Sequence, residues 1–508
     1  MNLSRRGFIA GATGVVAAAA SAGVKAVPEC RMGALAAAGC ASDGAMDLGS
    51  GAGGSMHGFA VPALNRVRVG VVGLGNRGSD AARRLSTVPG IDVVAICDIR
   101  PERFAITQAK LKKNGKPPAK EYRGKDGWKR LCEADDIDVV YVVTGWFEHA
   151  MISVYAMKQG KHAFMEVPAA VTVDECWELV ETAEKTRRHC MMLENCNYGE
   201  TETLALNLCQ SGALGDILHA DCAYIHDLRR NCYQTGRDGY GDYWRLRYNE
   251  KHKGNAYPTH GFGPVCWYMD VNRGDRLDYL VSLESRQAGF ERYAQEIYGE
   301  DKEQPWKKNV KVAMGDMNTT LVRTVNGKSI MIQHDVTSPR PYTRHNLVSG
   351  TKGAFWGMPW REKGQDMWRV AIEDSCGKGA HEWWVKDSAK GREIEEKYRH
   401  PMWREAGAIA KLAGGHGGKD FMMDLRWAYC LQNGLPLDID VYDTATWSCI
   451  VDLSERSVRS GSMPQAIPDF TKGGWKTAKP VGDMTIDLAK LDLNEKQRSL
   501  IGRQKSTF

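Results

Sequence analysis

The stretch that most constrains this 508-residue chain runs from Arg66 to Leu85. Arg66-Val67-Arg68-Val69-Gly70-Val71-Val72 reads as a buried strand, Gly73-Leu74-Gly75-Asn76-Arg77-Gly78 follows at once, and Ser79 to Leu85 reads as the start of a helix. A lone Gly-x-Gly-x-x-Gly says little. Set between a strand and a helix it is the fingerprint of a dinucleotide-binding βαβ unit. Gly73 permits the tight turn, Gly75 lets the backbone approach a pyrophosphate, and Gly78 lets helix and strand pack closely. The phosphates then meet the amide dipoles of the helix N-terminus. A second strand, Asp92-Val93-Val94-Ala95-Ile96-Cys97, ends at Asp98, about 20 residues beyond the last fingerprint glycine. A carboxylate there accepts hydrogen bonds from a ribose and repels a 2′-phosphate, so the expected cofactor is NAD. Arg77 and Arg100 leave NADP open, but Asp98 outweighs them.

The alternation continues through a strand at 138–143 ending in Thr144-Gly145-Trp146-Phe147-Glu148-His149, a helix that follows it to Gln159 and a strand at 161–168. A helix from Val173 to Thr186 and a strand at 190–195 follow. In a parallel sheet the strand ends line the cofactor crevice, which places Trp146, His149, Glu166 and Asn195 there, although Trp146 also fits core packing and His149 also fits a helix cap. From about residue 216 the pattern changes. Alternating stretches at 221–226 and 318–323 suggest an open, mainly antiparallel sheet. Residues 329–334 supply a partner strand across the turn Asn326-Gly327, a helix is expected near 443–460, and Pro468-Asp469-Phe470 ends regular structure. The expected fold class is α/β: a Rossmann domain over residues 62–198, then an α+β substrate domain over 199–480, with a C-terminal tail at 481–508. No internal repeat is found.

Ahead of the fold, Ser4-Arg5-Arg6-Gly7-Phe8-Ile9 sets two arginines before an uncharged Ala/Gly-rich stretch. Residues 1–30 read as a twin-arginine export signal cut near Ala26, which implies the export machinery as partner and a periplasmic or otherwise exported location. Residues 31–61, nearly devoid of large apolar side chains, read as a flexible linker. Cys40 in Ala37-Ala38-Gly39-Cys40 lacks the leucine of a lipoprotein box and reads as a chance cysteine. That route exports folded proteins, often with a cofactor inside. An exported nicotinamide enzyme has no pool of fresh dinucleotide, so the NAD is expected to be tightly held and regenerated in each turnover.

Composition closes other doors. The chain is 43% apolar, enough for a core, so wholesale disorder is excluded. Its +6 net charge is too diffuse for a nucleic-acid groove. No stretch after residue 30 approaches the roughly 20 apolar residues of a membrane span. The 14 cysteines show no CxxC pair and no zinc-type spacing, so neither a metal nor a disulfide scaffold is expected, and folding in a reducing compartment is.

The dinucleotide fingerprint, Glu166-Val167-Pro168, Leu193-Glu194-Asn195-Cys196-Asn197-Tyr198-Gly199, Tyr257-Pro258-Thr259-His260-Gly261 and Ile467-Pro468-Asp469-Phe470-Thr471 together resemble the glucose–fructose oxidoreductase/inositol dehydrogenase superfamily (Gfo/Idh/MocA). Within it the chain resembles glycoside hydrolase family 109, the NAD-dependent α-N-acetylgalactosaminidases, over about residues 62–480. The resemblance implies cofactor contacts at Gly73, Gly75, Asn76, Arg77, Gly78, Asp98, Trp146 to His149, Glu166, Val167, Asn195 and Tyr257. It implies a substrate pocket at Tyr224, Arg245, Tyr257, His260 and Tyr342. Tyr224 on a half-buried strand also fits packing, Arg245 also fits a surface ion pair, and Tyr342 also fits a loop anchor. Typical dehydrogenases of the superfamily carry a lysine where this chain has Val167. A valine moves no protons, so acid/base work falls to Tyr257, His260 and, in support, Tyr198. An imidazole titrates near neutral pH, and Arg245 is expected to favour a Tyr257 phenolate.

The reaction implied is a glycosidase cycle of transient oxidation. Hydride leaves carbon 3 of the sugar, a base takes the acidified proton of carbon 2, the aglycone is eliminated from carbon 1, water adds, and hydride returns. The sugar, its anomer and the assignment of each proton rest on the resemblance alone. A periplasmic sugar oxidoreductase with tightly bound NAD and a non-catalytic sugar-binding protein are the alternatives. A homodimer through the open sheet is a further expectation.

Overall fold

The computed structural model describes residues 54–373 and 382–499. The expected signal peptide, Cys40 and the linker through residue 53 lie outside the described residues. The first sheet holds β1 (Val67–Val72), β2 (Ile91–Asp98), β3 (Lys120–Arg123), β4 (Val139–Val142), β5 (His162–Met165) and β6 (Cys190–Met192). Its order is β3-β2-β1-β4-β5-β6, parallel throughout. The chain reverses direction across the sheet between β1 and β4, which opens a crevice at their C-terminal ends. Runs such as Val-Val-Tyr-Val in β4 are buried on both faces, as helices on either side of a parallel sheet require. The strand expected at 190–195 stops at Met192. The Glu194 side chain accepts the Cys196 N–H and starts a 3-10 turn, Asn195–Tyr198.

The second sheet contains β7 (Ile217–Ile225), β8 (Leu277–Glu284), β9 (Asn318–Thr324), β10 (Ser329–Asp335), β11 (Asn346–Gly350), β12 (Gly353–Glu362), β13 (Gln365–Ile372), β14 (Trp384–Val385) and β15 (Gln465–Ala466). The order is β14-β13-β12-β11-β7-β10-β9-β8-β15, antiparallel except for the β7–β10 pair. Gly327, at φ +88°, closes the expected β9–β10 hairpin. One face of this sheet is covered by the helix Thr259–Tyr268, whose Gly261 lies so close to β7 that a Cβ would stand 2.6 Å from the Ala223 backbone. On the other face, register aligns Val281, Leu321, Met331, Asp221, Leu347 and Trp356 in one row. Leu283 and Leu321 on this face are 55% and 53% exposed.

The chain's later segments return to the first sheet. The helix Lys419–Asn433 lies against the fingerprint helix Asn76–Leu85, and fully buried Arg84 donates from Nε to Asp424 at 2.6 Å. Stripping one partner from such a buried pair costs about 3–5 kcal/mol, because the other charge is left in low dielectric.

Two expectations are corrected. Residues 54–61 are not linker: Met56 is buried with its N–H on the Tyr442 hydroxyl at 3.1 Å, His57 pairs with Asp440 at 2.9 Å, and Arg187 covers the Phe59 ring. Burial of Met56, partial burial of Phe59 and these polar ties together dock the segment. The described part of the expected tail, through residue 499, is also packed, with Val481, Met484, Ile486, Leu491 and Leu493 buried and short helical turns beyond Phe470. Eleven cysteines are described, all free thiols and ten of them buried. No helix among the described residues is long and apolar enough to cross a membrane.

Candidate active site

The crevice between β1 and β4 opens into two adjoining cavities, of about 490 and 400 Å³. The glycine turn that borders both is built as the dinucleotide reading requires. Gly73 sits at φ +91°, and a Cβ on it would stand 2.5 Å from the Val143 carbonyl oxygen. A Cβ on Gly78 would overlap the Gly73 carbonyl oxygen at 1.8 Å. Gly75 differs: its backbone suits any residue (φ −57°, ψ −169°), and a Cβ would meet nothing within 4 Å. That cleared space at a helix N-terminus fits a pyrophosphate. Asp98 borders the larger cavity at the end of β2, its two oxygens accepting the Leu74 and Arg100 N–H groups at 2.6 and 2.8 Å. Each oxygen keeps a second lone pair for a ribose hydroxyl.

The other expected cofactor residues line the smaller cavity, several of them already tied to one another, except Glu148, which borders the larger one, and Phe147, which is exposed against Tyr248 and borders neither. Asn76 donates to the Gly236 carbonyl at 2.8 Å, which ties the fingerprint to the loop over the crevice. Arg77 donates to Glu166 and to Asp420, both at 2.7 Å, and Asn195 also donates to Asp420. His149 bridges two strand ends, with Nδ1 2.8 Å from the Pro168 carbonyl and Nε2 3.2 Å from that of Thr144. Burial lowers its pKa, so one of those contacts carries the single N–H of a neutral ring. Val167, buried beside the cavity, precedes a cis peptide bond to Pro168.

Around the same cavity stands a cage of rings. Trp146 stacks on Tyr257 at 5.6 Å between centroids, and Tyr224 meets Tyr257 at 4.6 Å. The Arg245 guanidinium lies 4.9 Å from both the Trp146 and Tyr257 rings and donates to the Tyr240 hydroxyl at 3.0 Å. Its Nη2 is buried with no hydrogen-bond partner, an unused donor in the cavity wall. A guanidinium charge enclosed by π faces in this way is held where bulk water cannot screen it.

Tyr257 and His260 meet as expected, with the Tyr257 hydroxyl 3.4 Å from His260 Nε2. Their electrostatics differ from expectation. Burial pushes Tyr257 well above the usual tyrosine value with help from Tyr224, and Arg245 pulls the other way without prevailing. For His260, burial acts downward, but its hydrogen-bonded neighbours Cys196 and Glu194 carry it well above 6.5. A near-neutral imidazole is therefore corrected to one that holds its proton. Glu194 in turn is lowered despite burial, chiefly by His260.

Tyr198 is corrected outright. It is 1% exposed, its hydroxyl faces Asp438 at 3.4 Å, its ring abuts Trp267, and it does not line the cavity. The 3-10 turn sends it into the core on the far side of Asn195. Tyr342 stands back from the cavity wall, its ring 4.7 Å from His226 and 6.0 Å from Tyr224, with Arg344 donating to its hydroxyl at 3.3 Å. Sequence reasoning missed Glu194, Asp420 and Tyr240. Glu194 stood inside a quoted motif, and Asp420 followed a glycine-rich helix start; Tyr240 lies in an aperiodic loop with no signal. Glu194, Cys196 and His260 bring ligand-type atoms within 4.8 Å of one another, a grouping that could hold a metal ion. Here the carboxylate is spent on an imidazole and a backbone N–H, so the group reads as a proton-holding pair.

Residues 198–477 match the family model described as "Glycosyl hydrolase 109, C-terminal domain", and residues 67–194 match "Oxidoreductase family, NAD-binding Rossmann fold". The chain is 46% identical over 419 residues to glycosyl hydrolase family 109 protein 2 of Phocaeicola vulgatus, covering 82% of this chain and 97% of that protein. It is 46% identical over 420 residues to an alpha-N-acetylgalactosaminidase of Bacteroides fragilis, covering 82% and 95%. Among solved structures, levoglucosan dehydrogenase in complex with NADH and levoglucosan shares the fold, with a TM-score of 0.59 at 18% identity over 79% of this chain and 100% of that one.

The cleared space at Gly75 yields a direct check. Gly75→Val keeps an allowed backbone but fills the cradle, so the variant should fold with wild-type circular dichroism and retain less than about one-tenth of the wild-type NAD. Dinucleotide released by denaturation and quantified by chromatography measures this.

Proposed function

Because the chain belongs to glycosyl hydrolase family 109 and carries an NAD-binding Rossmann domain, we propose that it hydrolyses α-N-acetylgalactosaminides by an oxidation undone within each turnover. The observation that carries this reading is the contact of Tyr257 and His260, beneath the unused Arg245 donor, in the cavity that adjoins the dinucleotide crevice. An ordinary glycosidase instead flanks the glycosidic oxygen with two carboxylates. Of the carboxylates lining this cavity, Glu166 is held by Arg77, and Asp238 sits exposed on the covering loop.

NAD, when bound, supplies a reversible hydride acceptor. The chain's residues do the rest. Arg245 steadies negative charge on a sugar oxygen, in a place where burial makes a guanidinium worth more than in water. Tyr257 Oη and His260 Nε2 hold and move the hydroxyl proton and the proton of carbon 2. Trp146 and Tyr224 wall the site from solvent. Hydride that leaves carbon 3 comes back to it, so the net change is water added across the glycosidic bond. The clamp of Arg77 on Glu166 and Asp420, and the loop tied down by Asn76, support tight retention of the cofactor.

Purified enzyme without added NAD should cleave p-nitrophenyl α-N-acetylgalactosaminide, and in D₂O the released sugar should carry deuterium at carbon 2. Tyr257→Phe and His260→Asn should each lower kcat by about 10²- to 10⁴-fold with bound NAD unchanged. Cleavage with no deuterium at carbon 2 would remove the oxidative route, and net accumulation of NADH would favour a sugar oxidoreductase.

Arg5-Arg6 and the stretch behind them support export by the twin-arginine route to the periplasm with cofactor already inside. Replacing both arginines by lysine should leave active enzyme in the cytoplasmic fraction, and unchanged periplasmic recovery would end that proposal. The exposed sheet face bearing Leu283 and Leu321 supports a homodimer through the open sheet. Light scattering after gel filtration should report a dimer for the wild type and a monomer for Leu321→Glu; a monomeric wild type would contradict it.

A further inference from the structure

We propose that Glu194 is a positioning residue: it keeps the proton on His260 Nδ1 and thereby turns Nε2 toward Tyr257 and the cavity. The Glu194 side chain is wholly buried, yet it meets His260 Nδ1 with both oxygens, at 2.7 and 3.0 Å. Oε1 also accepts the Cys196 backbone N–H at 3.0 Å, which anchors the carboxylate to the end of the first sheet. A carboxylate is an acceptor only, so the ring nitrogen facing it must carry hydrogen. A neutral ring then presents Nε2 as an acceptor, and a charged ring presents it as a donor. In either state the same nitrogen faces Tyr257, at 3.4 Å.

Local sequence makes the approach possible. Gly263 lies one turn beyond His260, and a Cβ there would stand 3.0 Å from Glu194 Cγ and 2.4 Å from Asn197 Oδ1. Gly261 lets the same helix sink onto β7. The two glycines therefore seat the helix start so that its histidine reaches a carboxylate from the other domain. The remaining titratable groups around the ring are Cys196 on the 3-10 turn, Tyr257 in the preceding residues, Tyr224 on β7 and His226 just after it, with Arg245 beyond Tyr257. The raised pKa of His260 and the lowered one of Glu194 agree with a proton shared toward the imidazole.

The rate readout rests on the glycosidase reading; the protonation readout does not. In the full-length holoenzyme, Glu194→Gln should lower kcat by at least about tenfold with KM and bound NAD near wild type. The limb of the pH profile set by His260 should move to lower pH, since the group that keeps the ring proton is gone. Glu194→Asp, with the charge retained, should leave that limb closer to its wild-type position. An active Glu194→Gln enzyme with an unmoved limb overturns the proposal. Should Glu194→Gln fail to fold, the wild type decides: histidine-labelled enzyme should show a downfield Nδ1 proton resonance that His260→Asn abolishes, and its absence overturns the assignment. A wild type that cleaves no glycoside sinks the glycosidase reading instead and leaves the resonance as the measure of Glu194.

Discussion

The arrangement depends above all on one buried carboxylate. Asp420, whose side chain is 1% exposed, receives Arg77 from the fingerprint helix and Asn195 from the turn after β6; Arg84 lies 3.6 Å away, and His416 closes the group from its own segment. Burial works against ionisation there, but the surrounding cations hold its pKa well below the carboxylate range. A charge so placed is tolerable only when its partners surround it. Apolar side chains such as Phe421, Leu425 and Trp427 bury the 419–433 helix, and the need to keep those partners together fixes its position, and so where Glu166, Asn195 and the glycine turn stand relative to the second half of the chain.

Within that frame the cavity sets burial against charge. Tyr257 is hard to ionise because it is dry, and the neighbouring guanidinium only partly offsets this. His260 is equally dry but sits on a carboxylate, and the outcome reverses. Two groups close in sequence, one before the helix and one in its first turn, thus leave the folding process with different charges, a neutral phenol and a proton-bearing imidazole. Both therefore start as acids, and the proton of carbon 2 is taken up only after one of them has released its own.

Much of the fold was legible because its signals are local. Backbone sterics alone dictate glycine at Gly73 and Gly78, and the β9–β10 turn follows from Asn326-Gly327. The apolar runs of β1 and β4 follow from burial on both faces. The packed termini were not legible. Met56 and Phe59, and the apolar residues from Val481 to Leu493, are too sparse and irregular to show a period, and only the surfaces that receive them explain their burial.

The site divides along the same line. By itself the sequence determined a dinucleotide fold, the acid at Asp98 and the pairing of Tyr257 with His260, since each lies within a few residues of a recognisable turn or strand end; the family resemblance added the lysine missing at Val167. Tertiary structure alone decided that Tyr198 turns away, that Arg245 enters a ring of aromatic side chains, and that Glu194 lies under His260, 66 residues distant along the chain. Protonation states followed from that second set of facts. A pKa is set by burial and by the nearest charges, and neither is known until the chain has closed on itself.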